Sequence, residues 1–90
     1  MLYGDHSLEE FTELLKAKDR SAFSYLYDVY SGPLYGVITS QIPDHTVCNN
    51  ILVKVFLKVW NQIDQYDQNS AGLFTWMHQL TLRELEVYKN

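Results

Sequence analysis

Residues 44–63, DHTVCNNILVKVFLKVWNQI, decide the fold. Their apolar side chains fall at Val47, Ile51, Leu52, Val55, Phe56, Val59, Trp60 and Ile63. Steps of four, one, three, one, three, one and three trace one face of a helix, not the alternation of a strand. Asp44 stands just before the stripe, placed to cap the free backbone N–H groups of the first turn. A helix of this length buries one face. The other, Asn49, Asn50, Lys54, Lys58 and Asn61, is left for solvent or a partner.

Upstream, Ser7-Leu8-Glu9-Glu10 has the form of a capping box. Leu8, Phe11, Leu14 and Leu15 then make a short stripe that should end near Ala17. Asp19 or Ser21 is placed to cap the next helix, in which Ala22, Phe23, Leu26, Tyr27 and Tyr30 share a face. Gly32-Pro33 predicts a kink or a restart, because proline suits a first turn and damages an interior. The pattern resumes through Leu34, Val37, Ile38 and Ile42, and Pro43 closes it.

Downstream, residues 64–72, DQYDQNSAG, read as a loop with one aromatic, Tyr66. Ser70 is placed to cap a final helix carrying Leu73, Phe74, Trp76, Met77, Leu80, Leu82, Leu85, Val87 and Tyr88. These cover most of the circumference, which predicts a central helix or one shared with a partner. No segment has strand period, and no repeat is present. The expected architecture is an all-α bundle of four helices, or five if Pro33 breaks one, in a single domain spanning residues 1–90.

Bulk properties narrow the function. The 90-residue chain is 47% hydrophobic and 14% aromatic, with seven tyrosines to help a small chain build a core. No apolar run approaches the roughly 18–20 residues of a membrane span. The start, MLYGDHSLEE, lacks the basic and then apolar order of a secretory signal. One cysteine excludes an internal disulfide, so the expected location is cytoplasmic. A net charge of −4 argues against strong nucleic-acid binding by the chain alone, since phosphate neutralisation dominates such affinity.

Enzymatic chemistry finds no foothold. There is no Gly-rich phosphate loop, nucleophile elbow or triad signature. His45 and Cys48 have a spacing compatible with a shared metal, but no second pair follows, and His6 and His78 lack partners at recognised spacing. No cofactor is expected. Glu9, Glu10 and Glu13 read as a solvated acidic face. Phe23, Tyr27, Phe56, Trp60, Phe74 and Trp76 sit at helical spacing and read as core. Tyr66, flanked by polar residues, is the one aromatic read as available to stack on a base.

The order of residues resembles the second conserved region of extracytoplasmic-function sigma factors of bacterial RNA polymerase. Ala22-Phe23, Leu26-Tyr27, Tyr30 and Leu34-Tyr35 carry its opening. Asp44, Val55-Phe56-Leu57-Lys58-Val59-Trp60, Ile63, Tyr66-Asp67 and Phe74-Thr75-Trp76-Met77 carry the rest. The resemblance implies an all-α domain that docks on RNA polymerase core and opens the promoter −10 element. It implies polymerase contacts at Asn50, Val53, Lys54 and Lys58. For promoter DNA it implies the loop before the last helix, Tyr66, Asp67, Gln68, Asn69 and Ser70 with Ala71 and Gly72; Arg83 is added on the last helix.

Departures from the family fall on those positions. The family usually has an acid where Asn50 stands, and Gln-Glu or Gln-Asp at Val53-Lys54. Replacing an attractive charge by a like one costs up to several kcal/mol at a tight interface. The step commonly Ala-Arg-Asn in the last helix is here Thr81-Leu82-Arg83, followed by Glu84, Leu85, Glu86 and Val87. Beyond Ser70, Arg83 and Lys89 are balanced by Glu84 and Glu86. DNA binding is therefore expected to be weak without polymerase. The alternative is a sigma-like interaction module without promoter binding, meeting an anti-sigma protein or a second copy through Leu82, Leu85, Val87 and Tyr88. The chain ends within a helical pattern with no helix-turn-helix after it, which fits a fragment or a shortened relative.

Overall fold

The computed structural model describes residues 7–89, and the expectation for His6 lies outside them. Four helices follow in order: α1 (Leu8–Lys16), α2 (Arg20–Thr39), α3 (His45–Gln62) and α4 (Leu73–Lys89). A single 3-10 turn, Ile63–Gln65, extends α3. Among the described residues there is no strand, and no helix is long and apolar enough to cross a membrane. The architecture is an all-α bundle.

Local chemistry sets the helix starts. The Ser7 hydroxyl accepts from Glu10 N at 3.1 Å while Ser7 N donates to the Glu10 carboxylate at 2.9 Å, the reciprocal capping box. Asp19, not Ser21, caps α2 by accepting from Ala22 N. Asp44 caps α3 by accepting from Thr46 N and Val47 N. The end of α1 is less legible. Asp19 N donates to Leu14 O and Lys18 N to Leu15 O, the double bond of a Schellman turn. That turn puts Lys18 at φ 64°, a left-handed position that glycine usually takes. The Lys18 ammonium donates to the Trp60 carbonyl and lies 5.0 Å from the Trp60 ring centroid. These contacts to the end of α3 offset the strain and tie the α1–α2 turn to it.

Pro33 neither breaks α2 nor restarts it: the helix runs through from Arg20 to Thr39. The reason is tertiary. Leu26, Leu34 and Ile38 are fully buried on both sides of the proline, while Gly32 and Pro33 face solvent. Core burial of one continuous stripe outweighs one missing hydrogen bond on the outer face.

The core lies where α2, α3 and α4 meet. Phe23 meets Trp60 edge to face at 5.0 Å, Tyr27 lies 4.7 Å from Phe56, and Tyr35 meets His45, so α2 and α3 run antiparallel. Ile51, Leu52, Val55, Phe56, Val59 and Ile63 are buried as the stripe predicts, and Cys48 joins them. Tyr27, expected in the core, is instead a rim residue, 40% exposed. On α1, Phe11 and Leu15 are buried, whereas Leu8 is exposed.

Of the two arrangements expected for α4, central or shared with a partner, the central one is not found among the described residues. The helix buries Leu73, Met77, Leu80, Thr81, Glu84 and Leu85 as one stripe and leaves Leu82, Val87 and Tyr88 outside. Two polar residues thus occupy the inner face. Thr81 is satisfied within the helix, its hydroxyl donating to Met77 O at 2.9 Å. Glu84 is satisfied across the bundle by Lys58.

Candidate interaction surfaces

The outward side of α3 presents Asn50, Val53 and Lys54 on successive turns, all exposed, Val53 by 55%. The helix beneath is held by the buried stripe on its other side, so these side chains project from a rigid base. Lys58 is on the same helix but is engaged elsewhere. Its ammonium lies 2.6 Å from Glu84 Oε1, with the Lys58 side chain 42% exposed and that of Glu84 8%. Oε1 has no well-directed hydrogen-bond donor among the described residues, so the ion pair is what compensates the buried charge. By charge count alone Glu84 is one of two acids that balance two bases beyond Ser70. The signal that marks it is its register, seven residues after Met77 and four after Leu80 on the inner face of α4.

The second surface is the turn before α4. Asp67 organises it: Oδ1 accepts from Asn69 N at 2.9 Å, Oδ2 accepts from the Ser70 hydroxyl at 3.2 Å, and Asp67 O accepts from Ser70 N at 3.0 Å. Ser70 therefore closes this turn and does not cap α4, which begins at Leu73 with Gly72 O accepting from Trp76 N. Gln68 and Asn69 stand exposed at the tip.

Tyr66 requires a correction. Its polar neighbours in sequence imply an exposed ring, yet it is 2% exposed, 5.2 Å from the ring of Trp76. The phenol donates to Ala71 O at 2.8 Å. Burial pushes its pKa above the ordinary 10.0, helped by the negative charge of Asp67 and by Tyr30. The ring is an internal anchor and offers no open face for a base to stack on. Loop composition hid this, because a single inward aromatic leaves no periodicity to read.

Arg83 is not brought to the turn. Ten residues of α4 separate it from Leu73, roughly 15 Å of helix. On the outer side of α4, Leu82, Val87 and Tyr88 are 40%, 67% and 51% exposed, but Leu85 is 1% exposed and cannot serve a partner surface. His45 and Cys48 diverge: the buried thiol donates to Ile42 O at 3.2 Å, while His45 is exposed against Tyr35. Among the described residues no three His, Cys, Asp or Glu side chains gather as a metal site.

Known proteins give a distant relationship. The chain is 27% identical over 66 residues to the ECF RNA polymerase sigma factor SigK of Mycobacterium sp. strain KMS, covering 73% of this chain and 34% of the relative. It is 26% identical over 76 residues to the SigK of Mycolicibacterium vanbaalenii, covering 84% of this chain and 39% of that protein. The chain thus spans little more than a third of the curated relatives it matches. No family model matches it. No solved structure matches it.

Proposed function

We infer that this chain is a divergent, sigma-factor-like helical domain of transcription initiation, working in the cytoplasm as a non-enzymatic binding unit. The observation that carries the reading is the alignment with SigK over 66 to 76 residues of a bundle whose core includes the buried stripe of α3. In this reading RNA polymerase core meets the outer side of α3 at Asn50, Val53 and Lys54, with Lys58 contributing when it exchanges Glu84 for a partner. Single-stranded promoter −10 DNA meets the tip of the turn at Gln68 and Asn69. Asp67 and Ser70 hold that tip in shape, and Arg83 contributes only to a strand that continues along α4.

The altered signs on α3 make polymerase contact more apolar and less ionic than an acidic face would give. DNA binding then depends on polymerase to hold the domain in place. With about two phosphate contacts, the single-strand salt slope gives only about a sevenfold loss of affinity between 50 and 200 mM salt.

Retention of polymerase core by the immobilised chain at low salt tests the first half, and no retention would sink it. Anisotropy of fluorescent single-stranded −10 DNA, with and without core, tests the second. Binding that needs core fits the reading, and equal weak binding in both conditions removes the promoter role. A second reading rests on the exposed Leu82, Val87 and Tyr88: an interaction module that self-associates through α4. Sedimentation showing a strict monomer at high concentration would dismiss it.

A further inference from the structure

The second half of α2, GPLYGVITS at residues 32–40, is helical although its side chains favour other conformations. Gly32, Pro33 and Gly36 are the poorest helix formers, and the β-branched Val37, Ile38 and Thr39 follow. Pro33 offers no N–H to the Val29 carbonyl, and Gly32 before it spares the clash a Cβ would make with the proline ring. Gly36 has no such reason, since a Cβ added there would meet nothing within 4 Å. Near the end, Gly36 O accepts from both Ser40 N at 3.1 Å and the Thr39 hydroxyl at 3.2 Å. The Ser40 hydroxyl donates to Val37 O at 2.6 Å, so side chains compete with the backbone for the last carbonyls.

Burial of Leu34 and Ile38 is what holds this segment helical. Its fit to α3 is incomplete beside the proline, where a recess of about 230 Å³ is lined by Ser31, Gly32, Tyr35, Asn49 and Leu52. The Lys89 ammonium reaches the Gln41 side-chain oxygen from α4, but at the surface, where such a bond adds little. The first half of α2 is better secured: Asp19 caps it, Ala22 and Leu26 are buried, and Phe23 meets both Phe56 and Trp60. The weak segment also closes over a reporter. Ile42 is buried at its end, and the buried thiol of Cys48, the one cysteine in the chain, donates to Ile42 O at 3.2 Å.

We propose that residues 34–42 form a lid hinged at Gly32-Pro33, which opens over the start of α3 while the rest of the bundle stays folded. The lid involves neither polymerase nor DNA, so it stands or falls apart from their binding. The test follows labelling of Cys48 in the full chain by an aromatic disulfide at low urea, beside global unfolding by circular dichroism. Labelling should be at least about tenfold faster than global unfolding allows, and nearly independent of urea below the unfolding transition. Gly36→Ala should slow it about fivefold. Pro33→Ala, which returns a donor to the Val29 carbonyl, should slow it at least about tenfold. Ser24→Ala, exposed on the other side of the hinge, should leave it unchanged. Should one hinge variant lose helicity, the other decides. Labelling that follows global unfolding across urea, equal slowing by Ser24→Ala and the hinge variants, or a rate that no hinge variant changes would overturn the lid.

Discussion

The outer side of α3 and the turn before α4 display polar side chains in opposite ways. On α3, Asn50, Val53 and Lys54 take no part in holding the helix, because the Ile51-to-Ile63 stripe does that from the other side. In the turn, most of what is polar is also structural: Asp67 binds Asn69 N and Ser70, and Tyr66 holds Ala71. Only Gln68 and Asn69 are left over for a partner. A helix separates support from display by geometry, since its faces diverge every residue. A short turn has no second face, so its side chains must shape the backbone first. Substitutions on α3 should therefore change binding without changing stability, while most substitutions in the turn should change both.

The largest test of this contrast is Tyr66→Ala against Val53→Ala. Removing the buried ring should cost about 3–5 kcal/mol in denaturant unfolding, and trimming Val53 should stay within about 0.5 kcal/mol. A loss below about 1 kcal/mol for Tyr66→Ala would show that the turn does not hang on that ring. Next comes Lys58, which ties α3's outer side to the core. Lys58→Ala strands the buried Glu84 carboxylate and should cost about 2 kcal/mol. Glu84→Leu leaves only a half-exposed ammonium, which water solvates, and should cost less than half as much. Equal losses would mean the pair acts through packing alone.

A smaller effect is expected in the turn's polar frame. Asp67→Ala should lower stability by about 1 kcal/mol, while Gln68→Ala leaves the unfolding midpoint unchanged and weakens only DNA bound in the presence of polymerase. The smallest effect is in pH. The Tyr66 phenol is raised above 10.0, chiefly by burial. A raised pKa means that the folded state favours the neutral phenol. Its contribution is complete below pH 10.0 and is lost as pH rises through the folded value. Thermal melts should show an alkaline loss above about pH 10 that is diminished in Tyr66→Phe, and identical alkaline profiles would deny the effect.

The candidate surfaces were unequally legible. Positions 50, 53 and 54 follow from helical register alone, because once Val55, Phe56 and Val59 point inward their neighbours must point out. The turn is not legible at Tyr66 and Ser70, since nothing in DQYDQNSAG fixes which side chain turns inward.

The amino-acid order by itself determined the helical stripes, the caps at Ser7 and Asp44 and the inner face of α3, and it narrowed the α2 cap to Asp19 or Ser21. All of these are interactions within about one turn of chain, where spacing and side-chain type suffice. Tertiary structure decided the rest. It carried α2 through Pro33, held Lys18 in a left-handed turn, drew Tyr66 inward and joined Glu84 to Lys58. Each depends on a partner distant in sequence or on burial across elements. Its free energy exists only once α2, α3 and α4 have met.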